Sequence, residues 1–145
     1  GRLFARDTGK PYVIKPNKYE LATYFGVSQD CSNEEMISLA KTLLNEECRL
    51  VVVSMGKQGS IFLSHEGIYQ AEALHIQAHS SVGAGDAMVA AIAYALEQDT
   101  PMEQLIALAV ACSAGAVMTK GTQPAEKAVV EKLMKQVTIK KLEEN

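Results

Sequence analysis

Long apolar runs are missing from this sequence. The most apolar stretch, Ala87 to Leu96, is too short to cross a bilayer, and no secretory leader pattern opens the chain. Blocks of like charge are missing too. Lys and Arg number 14 against 17 Asp and Glu, a net charge of −3, without the basic patch that nucleic acid or an anionic membrane would favour. A small anionic ligand stays open, because backbone amides bind anions without net positive charge. Cysteine is sparse and unpaired in pattern. Cys31, Cys48 and Cys112 are odd in number with no CxxC spacing, so a reduced, cytoplasmic protein is expected rather than a disulfide framework. There is no repeat, no low-complexity tract and no Pro/Gly/Ser-rich linker, which leaves one compact domain. The opening, GRLFARDTGKPY, has no initiator methionine, as expected of a chain cut from a longer one.

What is present suits a folded domain: 145 residues, 48% hydrophobic and 21% charged. Pro11 to Ile14 reads as a short strand stopped by Pro16 and Asn17, and Lys18 to Phe25 as a short helix. Ser32 followed by Glu34 and Glu35 starts a second helix, predicted to run to about Glu47. Leu50 to Ser54 (LVVVS) is continuously apolar and β-branched, the pattern of a strand buried on both faces. Ser60 to Ser64 and Gly67 to Gln70 form a predicted hairpin, and residues 72–79 an extended stretch. Helices are predicted from the glycine turn at 83–85 to about Glu97, from Thr100-Pro101 to about Thr119, and over Lys127 to Lys135. Val137 to Leu142 reads as a last strand. The order β-α-α-β-β-β-α-α-α-β predicts a layered α/β domain with a short antiparallel hairpin.

Four segments carry chemistry. Ser81-Val82-Gly83-Ala84-Gly85-Asp86 runs straight into the apolar helix AMVAAIAYAL. Glycines let the backbone turn sharply, and the helix points free N–H groups and its positive end back at the turn. The result suits a transferring phosphoryl group, with Asp86 placed to take a proton from an attacking hydroxyl. On spacing alone, a capping role for Asp86 weighs more than the chemical one. Val52 to Gly59 sets Ser54, Gly56 and Gly59 just beyond a buried strand, where ligands of open α/β sheets bind; an ordinary glycine turn fits as well. In Lys15-Pro16-Asn17-Lys18-Tyr19-Glu20, Asn17 could orient a phosphate and Glu20 could hold Mg²⁺ through water, while the same spacing is close to a capping box. Ala107 to Gly115 is a small-residue helix that admits either a neighbouring helix or a flat ring.

Their order separates these readings. KPNxxEL, VVVSxGxxG, VGAGDxMVA and a small-residue helix ending in TxGT together resemble the C-terminal half of the PfkB/ribokinase family of carbohydrate kinases. The flavour is that of the branch containing 1-phosphofructokinases and tagatose-6-phosphate kinases. The resemblance implies a ribokinase-like three-layer α/β/α fold and Mg·ATP-dependent phosphorylation of a sugar-phosphate hydroxyl. By position, it implies Asp86 as catalytic base and Gly83, Ala84 and Gly85 as its anion hole. It implies Lys15, Asn17, Ser54, Gly56 and Gly59 as nucleotide contacts, Val110 and Ala114 as lining of the adenine pocket, and Glu20 as a water-mediated Mg²⁺ ligand. Some members bind K⁺ beside the anion hole, and Ser80, Val82, Ala116 and Gly121 fall in the matching stretches.

Family members are roughly twice as long, and their N-terminal half supplies sugar-binding residues and a β-sheet lid. Residues 1–145 are therefore expected to be the C-terminal half of such a domain, inactive alone, paired with a copy of itself or with an N-terminal half. Alternatives are a nucleotide-binding module without transfer, a kinase of another small sugar or nucleoside, or a structural fragment without a ligand.

Overall fold

The computed structural model describes residues 2–5, 11–78, 82–119 and 125–144. The chain divides into two compact units, Gly1–Gln70 with Lys140–Asn145, and Ala71–Ile139. The first is built on a sheet whose strands stand in sequential order: β1 (Arg2–Ala5), β2 (Pro11–Lys15), β3 (Leu50–Ser54), β4 (Ser60–Ser64), β5 (Gly67–Ala71) and β6 (Ile139–Glu144). β2 and β3 are parallel, with Val13 beside Leu50 and Ile14 beside Val51. Parallel neighbours need a crossover. Here it is made by α1 (Lys18–Phe25) and α2 (Asn33–Lys41). β1 pairs with β2, and β3 with β4, in antiparallel register.

The run LVVVS behaves as its composition predicts: Leu50, Val51, Val52 and Val53 are each exposed by 1% or less. Side chains alternate across a strand. Val51 and Val53 join Ile61 and Leu63 of β4, Leu21 of α1, and Met36 and Ala40 of α2 in one core. Phe62, on the alternate face of β4, is also fully buried. β6 is held by Lys41 of α2, whose ammonium donates to Glu143, and by Lys141, which lies 5.5 Å from the ring centre of Tyr69. Gly67 permits the approach, since a Cβ there would meet the Glu143 carbonyl oxygen at 2.9 Å. Cys31, Cys48 and Cys112 are all free thiols, and burial pushes the Cys48 and Cys112 thiols up from the ordinary cysteine range.

Two elements differ from expectation. α2 ends at Lys41 rather than near Glu47. Thr42 Oγ1 bonds back to the Leu39 carbonyl at 2.6 Å, and Asn45 Oδ1 accepts from the amides of Glu47 and Cys48, both at 2.7 Å. Those local bonds offer the backbone an alternative to the helix. β1 is the second difference: it covers the edge of β2, which sequence reading leaves open.

The second unit contains α3 (Ala84–Glu97), α4 (Met102–Met118) and α5 (Lys127–Met134). α3 buries Met88, Ala91, Ile92 and Ala95; α4 buries Leu105, Ile106, Ala109, Val110, Ala111 and Gly115. Residues 72–78 form no regular element. The small residues of α4 serve close packing at Gly115, where a Cβ would come 2.7 Å from Ala125 Cβ and 3.7 Å from Leu133 Cδ1. Gly115→Val is expected to lower unfolding free energy by about 1–3 kcal/mol, the usual cost of overpacking. Glycine and valine are both poor helix formers, so propensity does not offset the clash. Urea denaturation of the two proteins side by side measures it; equal midpoints would show that the segment before α5 yields freely.

Candidate functional site

In the first unit, the sequence brings two strand ends together. Asn17 and Ser54 form an isolated parallel bridge, and Ser54 N donates to the Pro16 carbonyl at 3.1 Å. β2 and β3 therefore finish side by side, at the edge where open α/β sheets take ligands. From there the chain turns in two ways. After β2, Asn17 caps α1: its Oδ1 accepts from Glu20 N at 2.7 Å, and Glu20 Oε1 accepts from Asn17 N at 2.9 Å. After β3, a single 3₁₀ turn over Gly56–Gln58 is closed by Met55 N donating to the Gly59 carbonyl at 2.8 Å. Gly56 and Gly59 hold φ of 58° and 87°. Side-chain-bearing residues rarely adopt such angles, which is why the turn needs glycine at both positions.

Between the turns lies an open cleft of about 340 Å³. Asn17, Ser54 and Gly56 line it, as the sequence indicates. Lys18, Tyr19, Met55 and Gln58 line it as well, and no motif marks them. Spacing alone could have found Lys18 and Tyr19, since both fall in the first turn of the helix that Asn17 caps. Lys15 and Gly59 do not line the cleft. Glu20 is committed to the capping box through Oε1, so the capping geometry considered from the sequence is realised.

In the second unit, Gly83 caps α3 at φ 90° with no atom within 4 Å of where its Cβ would be. Ala84, Gly85 and Asp86 form the first helical turn, and Ala87 N donates to the Gly83 carbonyl at 2.9 Å. The cap position falls on Gly83 rather than on Asp86, which sits exposed three residues into the helix. Amides of a first helical turn have no partner within the helix, so the turn offers donors and a positive dipole end to an anion. Val110 and Ala114, one turn apart on α4, are buried and half-buried respectively. Val82 and Ala116 are described; Ser80 and Gly121 lie outside the described residues. Among the described residues, no three His, Cys, Asp or Glu side chains gather as metal ligands, and no helix is long and apolar enough to cross a membrane.

A cleft at parallel strand ends and a glycine-capped helix start are the features of α/β proteins that meet anionic ligands with backbone amides. The family model for pfkB family carbohydrate kinases matches residues 6–128, and the chain belongs to that family. Curated relatives include the 1-phosphofructokinase of Haemophilus influenzae, 34% identical over 142 residues that cover 97% of this chain and 45% of the relative. Solved structures include Escherichia coli phosphofructokinase-2 in complex with substrates and products, with a TM-score of 0.78 and 26% identity over 87% of this chain and 41% of that one. The E. coli enzyme in complex with potassium gives a TM-score of 0.76 at 26% identity, again over 87% and 41% of the two chains. The chain thus spans less than half the length of these relatives. The fold is ribokinase-like α/β, as the motif order implies.

Proposed function

We propose that residues 1–145 are the C-terminal, nucleotide-binding and catalytic-base half of a cytoplasmic kinase that moves the γ-phosphoryl group of ATP to a hydroxyl of a phosphorylated ketohexose. The observation that carries the reading is the family match across residues 6–128, which contains all four motifs in order. The strand-end cleft supports a nucleotide site: its glycine turn leaves room for phosphates, and Asn17, Ser54 and Gly56 line it. By family position Val110 and Ala114 are adenine-lining residues and Lys15 and Gly59 nucleotide contacts, although the last two do not line the cleft.

The chemistry falls to the start of α3. The acceptor hydroxyl oxygen attacks the γ-phosphorus, its proton passes to the Asp86 carboxylate, and the bond to the β–γ bridging oxygen breaks with its electron pair leaving on ADP. The amides of the Gly83–Gly85 turn meet the charge on the transferring group. Mg²⁺, when bound with the nucleotide, would supply charge neutralisation to the phosphates. By family position Glu20 would accept from a water of that ion's shell, beside the cleft rather than in its lining, since one carboxylate oxygen is held by the Asn17 amide. Val82 and Ala116 fit the family's potassium stretches, and E. coli phosphofructokinase-2 has been solved with that ion.

The test is an ADP-release assay on the full-length gene product with Mg·ATP and a panel of fructose and tagatose phosphates. Turnover with at least one ketohexose phosphate is expected. Turnover only with nucleosides or unphosphorylated ribose would overturn the substrate class.

A further inference from the structure

We infer that Lys18 is a phosphate-holding residue of the strand-end cleft, a role that none of the motifs assigns. The inference rests on the nucleotide reading above and deepens it. Three observations carry it. Lys18 lines the cleft and, among the described residues, no carboxylate does, so this lining is cationic in a chain whose net charge is −3. The nearest motif acid, Glu20, is turned into the cap on Asn17 N. Among the described residues Lys18 makes no ion pair, so none of their carboxylates neutralises its ammonium in direct contact.

The position strengthens the point. Lys18 is the first residue of α1, directly after the Asn17 cap. A cation there opposes the positive end of the helix, where an acid would stabilise it. The residue is therefore poorly placed for the helix and well placed for an anion in the cleft, which would reverse the sign of that interaction. Lys15, the basic residue of the KPN motif, lies in β2 and does not line the cleft. The ligand chemistry is a nucleoside polyphosphate: an anionic tail for Lys18, with Tyr19, 58% exposed at the same cleft, as a flat apolar neighbour.

Titration calorimetry on the full-length enzyme tests this with ADP and adenosine at low and moderate salt, comparing wild type, Lys18→Met and Lys18→Arg. Lys18→Met is expected to weaken ADP by about 10–100-fold, the scale of one charge-assisted hydrogen bond. Its ADP affinity should also depend less on salt, and adenosine binding should stay within about twofold of wild type. Lys18→Arg should restore most of the ADP affinity. Melting temperature should not fall in Lys18→Met, because a cation leaves a helix N-terminus, so lost affinity will not reflect unfolding. Wild-type binding of ADP with Lys18→Met unchanged in affinity and salt response would overturn the Lys18 assignment alone. Absence of ADP binding by the wild-type enzyme would overturn the nucleotide reading, and Lys18 with it.

Discussion

In the full-length enzyme, Asp86→Asn is expected to lower kcat by about 10²–10⁴-fold, the usual loss with a general base, while ATP affinity stays within about twofold. Magnitudes make the experiment decisive. Asp86 lies in the first turn of α3, where an acid favours the helix by about 0.3–1 kcal/mol through the dipole. Asparagine keeps the shape and loses the charge, so a purely structural role predicts a small drop in melting temperature and a rate within a few-fold of wild type. A general base predicts the reverse weighting, a collapse in kcat with melting nearly unchanged. Gly83 occupies the cap, so the substitution leaves the cap residue itself in place. Steady-state kinetics and thermal melts of the same two preparations separate them. A variant with near wild-type kcat and an earlier melt would remove Asp86 from the chemistry.

What the sequence makes legible follows the range of the interactions involved. β3 can be read from its five residues because burial on both faces leaves no polar position in LVVV. The start of α1 can be read because the Asn17 cap and Glu20 lie three residues apart and their bonds are local. The early end of α2 is harder: the apolar spacing of Leu43 and Leu44 continues the helix, and only the bonds of Thr42 and Asn45 break it. β1 is not legible, because its four residues become a strand only through pairing with β2. The same limit applies to the cleft. Asn17, Ser54 and Gly56 belong to motifs, whereas Met55 and Gln58 reach the cleft through the geometry of the 3₁₀ turn, which no residue pattern specifies. Gly115 reads as a member of a small-residue helix, but its partner Ala125 is ten positions away and known only from the packing.

Residues 1–145 purified alone are expected to give no sugar-dependent ADP release. Phosphoryl transfer requires donor and acceptor oxygens held in line with water excluded, and positioning of that kind contributes about 7–11 kcal/mol to lowering the barrier. Losing the acceptor's share of it costs several orders of magnitude, well below assay background. The groups proposed here hold a nucleotide and supply a base; none of the four motifs grips a sugar, and relatives of this chain are more than twice its length. In the proposed site the cleft lies between two local turns, after β2 and after β3, so weak affinity for ADP is expected to persist in the isolated chain. Self-association is expected as well. Among the described strands β1 and β6 stand at the two edges of the sheet, and an edge strand offers a row of backbone groups that can pair with another strand. β6 carries Lys140, Lys141 and Glu143 within six residues, charges that discourage such pairing. β1, paired to β2 through four residues with an irregular register between Phe4 and Ala5, is the more available edge. The measurement is coupled ADP release from the isolated chain beside the full-length enzyme, with size-exclusion chromatography of both. An inactive, self-associated chain that still binds ADP fits the division of labour proposed here. Sugar-dependent turnover by a monodisperse monomer would show that this half carries a complete acceptor site.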